Sequence, residues 1–411
     1  MRIAVFTESF RPYTSGVVRS IETFGAELLD LGHEVYIFAP RYYGSAAAFQ
    51  PQSGRRRVAS QIFRYWSVPV PTYRGFAVPL PLSPRAGALL AALGIDIVHT
   101  HAPFAMGRFG AGLARRLGLP LVFTHHTMYH EYVHYLPGGQ RLWRGLTLRY
   151  VGAYCRLADA VIAPTPEIRE FIRRTYGLLD RRVVAIPTGV ALEDFGEAEP
   201  GWLRRRLGIA ADAPVLVFVG RLGREKNVGL LLAAQSRLRA LVPDAHLVLV
   251  GDGPERARLE RQAAALGVAD RVHFTGALGK EQVARAYRDA TLFVIASQTE
   301  TQGLATLEAM AAGLPVVGVD AAGTRDLVRD GIEGHLTPAD AEALARRVAA
   351  LLQDEPRLRQ LGRQALRRAA SLSARRMALR LIGVYQGLLE AYGRRPAHHD
   401  RPQYAPGSGV P

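Results

Sequence analysis

Cysteine is nearly absent from this chain: Cys155 is the only one in 411 residues. No internal disulfide can form, which suits a reducing compartment. Lysine is nearly absent as well, since of 52 Lys and Arg residues only Lys226 and Lys280 are lysines. No apolar run approaches the roughly 20 residues that a membrane span needs. Met1–Phe6 leads directly into a strand pattern, so no signal peptide is expected. There is no G-x-G-x-x-G, which speaks against a dehydrogenase. There is no HExxH or cysteine pair for zinc and no Asp-x-Asp to hold a divalent ion. Acidic residues are outnumbered 36 to 52, which leaves a net charge of +16. That excess points to an anionic partner: nucleic acid, an acidic membrane surface or a phosphate-bearing substrate. No nucleic-acid-binding motif is present, so nucleic acid ranks last.

The length fits two domains, and 48% hydrophobic residues can give each a sizeable core. The opening reads as βαβ: a strand from Arg2 to Phe6, a helix over Val17–Leu31 and a strand over His33–Ala39. Gly16 lies in a Ser15-Gly16-Val17 turn before that helix, where an anion could approach; a plain tight turn is the alternative. Residues 41–85 are rich in Arg, Tyr and Pro, and are expected to be extended and irregular, with Arg55, Arg56, Arg57 and Arg64 on the surface. Ile95–Thr100 and Leu119–Thr124 read as strands around a helix over Gly107–Leu117. Histidines crowd their ends: His99, His101, His125, His126, His130 and His134. They offer no fixed metal-ligand spacing, and a His just after a strand end is better placed to hydrogen-bond a polar ligand. Arg141–Arg156 reads as a basic, aromatic, amphipathic helix with Trp143, Leu146, Tyr150 and Tyr154 roughly on one side. Such a helix suits a membrane interface, or packs on its own domain.

Ala158–Ala163 and Val183–Ile186 close the first domain, expected at 1–186, and 187–212 is read as a linker. The second domain, 213–372, opens with a strand over Pro214–Val219, then Gly220, Arg221 and Lys226 before a helix near Asn227. A planar guanidinium and a point-charge amine at a helix start can both neutralise phosphate. A strand over Thr291–Ile295 then runs into Glu300-Thr301-Gln302-Gly303 and a helix carrying Glu308. Gly303 permits close backbone approach, and the amides of Gly303, Leu304 and Ala305 at the helix start favour an anion. Glu300 and Glu308 are separated by two helical turns, roughly 12 Å if every step were helical, too far to share a proton. They fit as acceptors for two sets of hydroxyls on one elongated ligand; a loop acid and a surface helix acid are the alternative. A last helix is expected over 373–392, and 393–411 has the composition of a disordered tail.

Glu300 and Glu308, with Glu308-Ala309-Met310, resemble the E-x7-E motif of retaining glycosyltransferases of the GT-B, family-4 type. The resemblance implies an α/β fold of two Rossmann-like domains with parallel sheets facing a central cleft. It also implies that Glu300 and His126 hold the transferred sugar, Glu308 the ribose, and Arg221, Lys226 and the Gly303 helix start the diphosphate. Gly16 occupies a donor-binding position, although relatives often carry Gly-Gly where this chain has Ser15-Gly16. The last helix folds back onto the first domain in such relatives. His126-Thr127-Met128-Tyr129 with Tyr132-Val133-His134-Tyr135, and Gln302 after Glu300, resemble diacylglycerol glucosyltransferases more narrowly. The implied partners are a nucleotide sugar such as UDP-glucose, a lipid acceptor and an anionic membrane surface. The implied place is cytoplasmic, on the inner face of the membrane, with no metal or other cofactor required. Other acceptors, such as a phosphoinositol lipid with GDP-mannose as donor or a soluble glycan, remain open. So do a nucleotide-sugar epimerase and a basic membrane-binding protein without chemistry. The sequence is silent on oligomeric state.

Overall fold

A computed structural model describes residues 1–13, 15–42, 57–70, 77–131, 139–178, 182–196 and 200–393. The chain divides into two compact units: 1–189 together with the segment from 374 onward, and 190–373.

Among the described residues the first unit contains nine strands: β1 (Arg2–Phe6), β2 (Glu34–Pro40), β3 (Gln61–Tyr65), β4 (Ser67–Pro69), β5 (Ala77–Pro79), β6 (Ile97–Thr100), β7 (Leu121–Thr124), β8 (Ala160–Ala163) and β9 (Val183–Ala185). Seven of them form one sheet in the order β3-β2-β1-β6-β7-β8-β9, and β4 pairs with β5 in a separate antiparallel ribbon. Every ladder in the large sheet is parallel. Their near-continuous apolar runs reflect burial on both faces.

The expectation of an irregular 41–85 is corrected by β3. It pairs in register with β2, Phe38 opposite Phe63. Phe6, Phe38 and Phe63 stack across three adjacent strands, with centroids 4.5 and 4.9 Å apart. This cross-strand packing, absent from any local pattern, makes a strand of a segment that propensity leaves open. Arg64 is also corrected. It is not a surface probe: its guanidinium donates to the carbonyls of Pro40 and Arg11 and lies over the ring of Phe10. Arg55 and Arg56 lie outside the described residues.

Among the described residues the second unit has six strands: β10 (Val215–Val219), β11 (His246–Val250), β12 (Val272–Gly276), β13 (Leu292–Ile295), β14 (Val316–Val319) and β15 (Gly334–Thr337). They form a parallel sheet in the order β12-β11-β10-β13-β14-β15. β15 was not expected; its residues GHLT are too few and too polar to stand out, and it is recruited by pairing with β14.

The segment 187–212 is read from the sequence as a linker. Residues from Val190 onward belong to the second unit. Trp202–Leu207 is a helix whose first amides, at Gly201 and Leu203, donate to the Asp289 carboxylate at 2.6 and 2.5 Å. The terminal helix, Ala374–Ala391, belongs to the first unit. Its Tyr385 hydroxyl is 2.6 Å from His99 Nδ1, and Arg380 donates to the carbonyl of Ala185 at 2.7 Å. From residue 394 the expected tail lies outside the described residues. Among the described residues no helix is long and apolar enough to cross a membrane.

Candidate functional site

In the second sheet the chain runs outward from β10 in both directions, to β11 on one side and β13 on the other. Open parallel sheets leave a ligand crevice beyond the strand ends at such a switch point. Both loops singled out in the sequence leave from these two strands. After β10 the chain forms a single turn at Arg224–Lys226, then Asn227 with φ 49° and a helix over Val228–Leu238. After β13 it runs through Ser297–Gly303 into a helix over Leu304–Ala311.

The two loops are tied together. Ser297 Oγ donates to the Glu225 carbonyl at 3.1 Å. Lys226 Nζ meets Glu300 Oε1 at 2.6 Å, both side chains being largely buried. The structure therefore brings together two residues that lie 74 positions apart in sequence. Their pairing holds a positive charge beside the loop that opens the next helix. Charge-assisted bonds of this kind are the strong ones, and a lysine on a flexible stem can swing to a new anion.

Gly303 has φ 75°, a left-handed backbone that favours glycine, and it caps the helix without a side chain. The amides of Leu304 and Ala305 open that helix. Nearby, Thr306 Oγ1 is buried and makes no hydrogen bond among the described residues. Arg221 is half-buried on the loop after β10. Glu308 lies further along the same helix as Leu304 and accepts from Tyr287 Oη at 3.3 Å, a hydroxyl shared with the Ala305 carbonyl at 3.1 Å. Tyr287 thus fixes the carboxylate that the sequence marked, and sequence reasoning missed it because its partner is 21 residues away. Gly323 was missed for a similar reason: a Cβ there would sit 2.5 Å from the Glu300 carbonyl oxygen. Only glycine lets the Ala322–Leu327 helix support the Glu300 loop so closely.

In the first unit the ends of β1, β6 and β7 carry the remaining candidates. Ser15 caps the Gly16–Asp30 helix, its Oγ accepting from Val18 N at 3.3 Å. The Val18 amide, in the first turn after Gly16, is therefore already taken. His126 is half-buried, and its Nε2 lies 2.7 Å from His101 Nδ1. His99, His101 and His126 stack, with centroids 4.4 and 5.0 Å apart. His99 Nε2 reaches Thr124 Oγ1 at 2.7 Å. Burial, and then the neighbouring His126, lowers His99 to about 3; burial, and then His125, lowers His126 to about 3. His101 is held well below the ordinary range by burial, His99 and His126. His126 is thus a neutral imidazole at pH 7, suited to hydrogen bonding with a hydroxyl. His125 is a core residue, fully buried against Tyr176. Residues 132–135 of the histidine-rich stretch lie outside the described residues.

The helix Gln140–Leu157 divides into two halves. Val151, Tyr154 and Cys155 are buried, whereas Leu142, Trp143 and Leu146 are exposed with Arg141, Arg144 and Arg149 among them. Tyr154, expected on the same side as Trp143, turns inward and donates to Thr100 Oγ1 at 2.9 Å. Trp66, Val68, Val78, Leu80 and Leu82, on and beside the β4–β5 ribbon, are also exposed.

Comparison with known proteins bears on this arrangement. A family model described as Glycosyltransferase Family 4 matches residues 14–194, and one described as Glycosyl transferases group 1 matches residues 202–368. The chain is similar to alpha-monoglucosyldiacylglycerol synthase of Streptococcus pneumoniae, 33% identical over 82% of this chain and 75% of that protein. It is similar to D-inositol 3-phosphate glycosyltransferase 1 of Catenulispora acidiphila, 33% identical over 76% of this chain and 77% of that one. Among solved structures, Anabaena HepE in complex with UDP and glucose matches with a TM-score of 0.74 and 20% identity, covering 94% of this chain and 100% of that chain.

Proposed function

This chain belongs to the family-4 glycosyltransferases of the GT-B fold, and on that premise we propose that it moves a hexose from a nucleotide sugar, UDP-glucose first, to diacylglycerol in a membrane. The observation that carries the donor half of this reading is the corner at the second switch point: Lys226 on Glu300, beside the Gly303 helix start. Membership of the family sets aside a purely surface-binding protein.

In this reading Arg221, Lys226 and the amides of Gly303, Leu304 and Ala305 receive the diphosphate. Negative charge grows on the leaving oxygen as the glycosidic bond breaks, and positive groups already in place stabilise that charge without reorganisation. Glu300 and His126 orient the sugar, and Glu308 the ribose. The acceptor oxygen attacks from the face the diphosphate leaves, its proton passing to the departing phosphate, so the configuration is retained. No metal enters, and transfer is expected to persist in excess chelator.

Support for a lipid acceptor is twofold. A relative acting at diacylglycerol by its name is 33% identical. The exposed Leu142, Trp143 and Leu146 lie among arginines, which matches an interfacial helix on an anionic leaflet. In this reading the protein works on the inner face of the membrane. The inositol-phosphate relative favours a second reading, a phosphate-bearing acceptor. The deciding experiment offers radiolabelled UDP-glucose, UDP-galactose and GDP-mannose with diacylglycerol vesicles and with inositol phosphate. Label in a chloroform-soluble product from UDP-glucose supports the first reading, and label only on the soluble acceptor supports the second.

A further inference from the structure

The first sheet has its own switch point. β1 is flanked by β2 on one side and β6 on the other. Glu8 stands two residues past the end of β1, with the Gly16 helix start on the same connection and His101 past the end of the neighbouring β6. The residue is buried, at 9% exposure. One oxygen, Oε1, accepts from the amides of Met106 at 2.7 Å and Gly107 at 3.3 Å. These open the Ala105–Leu117 helix, whose N-cap residue Phe104 supplies no side-chain cap.

What surrounds this acid sets it apart. Burial raises it to about 7, opposed only by those two amides. The titratable groups that feel its charge are Tyr42, Tyr129 and Tyr154, after β2, after β7 and on the Gln140–Leu157 helix. The nearby cations face those rings instead: Arg64 lies 6.0 Å from the centroid of Tyr42, and Arg108 5.9 Å from that of Tyr154. Among the described residues this strand-end carboxyl group has no counter-ion. Burying such a group is costly. Capping two amides does not require it, since a neutral carbonyl would serve.

We propose that Glu8 binds the acceptor: its second oxygen accepts a hydrogen bond from the hydroxyl that receives the sugar, and its charge selects a neutral, hydroxyl-bearing acceptor over a phosphate-bearing one. This rests on the transferase reading above. In the step it serves, the bond from acceptor oxygen to the sugar's anomeric carbon forms and the bond from that carbon to the phosphate oxygen breaks. The hydroxyl's one proton points at Glu8 while the acceptor binds and passes to the departing phosphate oxygen as the new bond forms, so Glu8 keeps its charge.

The test is Glu8→Gln in the full chain. The glutamine carbonyl still accepts both helix amides, but its amide nitrogen cannot accept from a hydroxyl. Transfer from UDP-glucose to diacylglycerol vesicles is expected to fall about 10- to 100-fold in kcat/KM for the acceptor, the loss for one hydrogen bond to a charged group. UDP affinity is expected to hold within about twofold. In the wild type, kcat/KM for the acceptor should rise with pH up to about 7 and then level, because with Oε1 taken by the two amides the second oxygen accepts freely only when it carries no proton. That limb needs no variant, so it tests the proposal even if Glu8→Gln folds poorly. A Gln variant with wild-type transfer, or a wild-type profile flat across this range, overturns the proposal and leaves the transferase reading standing. A wild type that transfers to no hydroxylated acceptor overturns both.

Discussion

Lys226 is one of two lysines in a chain that otherwise uses arginine, and the structure gives a reason for the choice. A guanidinium is a rigid fork, while an ammonium is a compact charge on a mobile stem. Held on Glu300 at 2.6 Å, it can exchange part of that bond for a phosphate oxygen. Lys226→Ala is therefore expected to lower kcat by about 100-fold or more, the usual loss when one donor to a developing oxyanion is removed. Lys226→Arg should recover only part of that loss, and steady-state kinetics on both variants checks this. Glu8 leads to a prediction about stability. Its folded pKa is raised from 4.5 to about 7, so the folded state binds this proton more tightly than the unfolded chain does. The stabilisation is fully present below about pH 4.5 and fades as pH rises to about 7. At pH 8 Glu8→Gln should stabilise the protein by on the order of 3 kcal/mol, while it depresses transfer. Denaturant melts at pH 5 and pH 8 would show the gain at the higher pH only.

At the scale of elements, the loops that meet at the second switch point depend on helices that touch no ligand in this account. The Ala322–Leu327 helix supports the Glu300 loop through Gly323, where a Cβ would lie 2.5 Å from the Glu300 carbonyl. Gly323→Ala should cost about 1–3 kcal/mol through overpacking and displace Glu300, so KM for the donor rises while circular dichroism is unchanged. In the proposed reading the exposed half of the Gln140–Leu157 helix meets the membrane. Replacing Leu142, Trp143 and Leu146 by serine should weaken binding to anionic vesicles and leave UDP binding intact. Sedimentation with vesicles at low and high salt reads this directly. Much of this was legible in the sequence because its signals are local. β10 and β11 are apolar runs bounded by Gly and Pro, and Glu300, Gly303 and Glu308 lie within nine residues of one another. What was not legible depends on remote partners. β3 needs Phe63 on Phe38, Glu8 needs amides 98 and 99 positions away, and Tyr287 needs Glu308. The helix division at Tyr150 was hidden as well, since periodicity shows an apolar side but not where the core beneath it ends.

At the scale of the whole molecule, the terminal helix binds the histidine stack of the first unit, through Tyr385 on His99. His99 and His126 have folded pKa values lowered from 6.5 to about 3. The unfolded chain therefore binds these protons first as pH falls. Stability contributed by the neutral stack is fully present above about pH 6.5 and is lost progressively toward pH 3. Acid unfolding should begin near pH 5 and carry the terminal helix with it, and His99→Gln should shift its midpoint to lower pH. Intrinsic tyrosine fluorescence during an acid titration follows both.

The central claim is that Lys226, Arg221 and the Gly303 helix start hold a nucleotide diphosphate. Calorimetric titration of UDP and GDP into the wild type and into Lys226→Ala tests it most directly. The account predicts that the nucleotide the wild type binds will lose about tenfold or more in affinity in the variant, one lost charge-assisted contact being worth about 1.5–3 kcal/mol. Equal affinity in both proteins would contradict it.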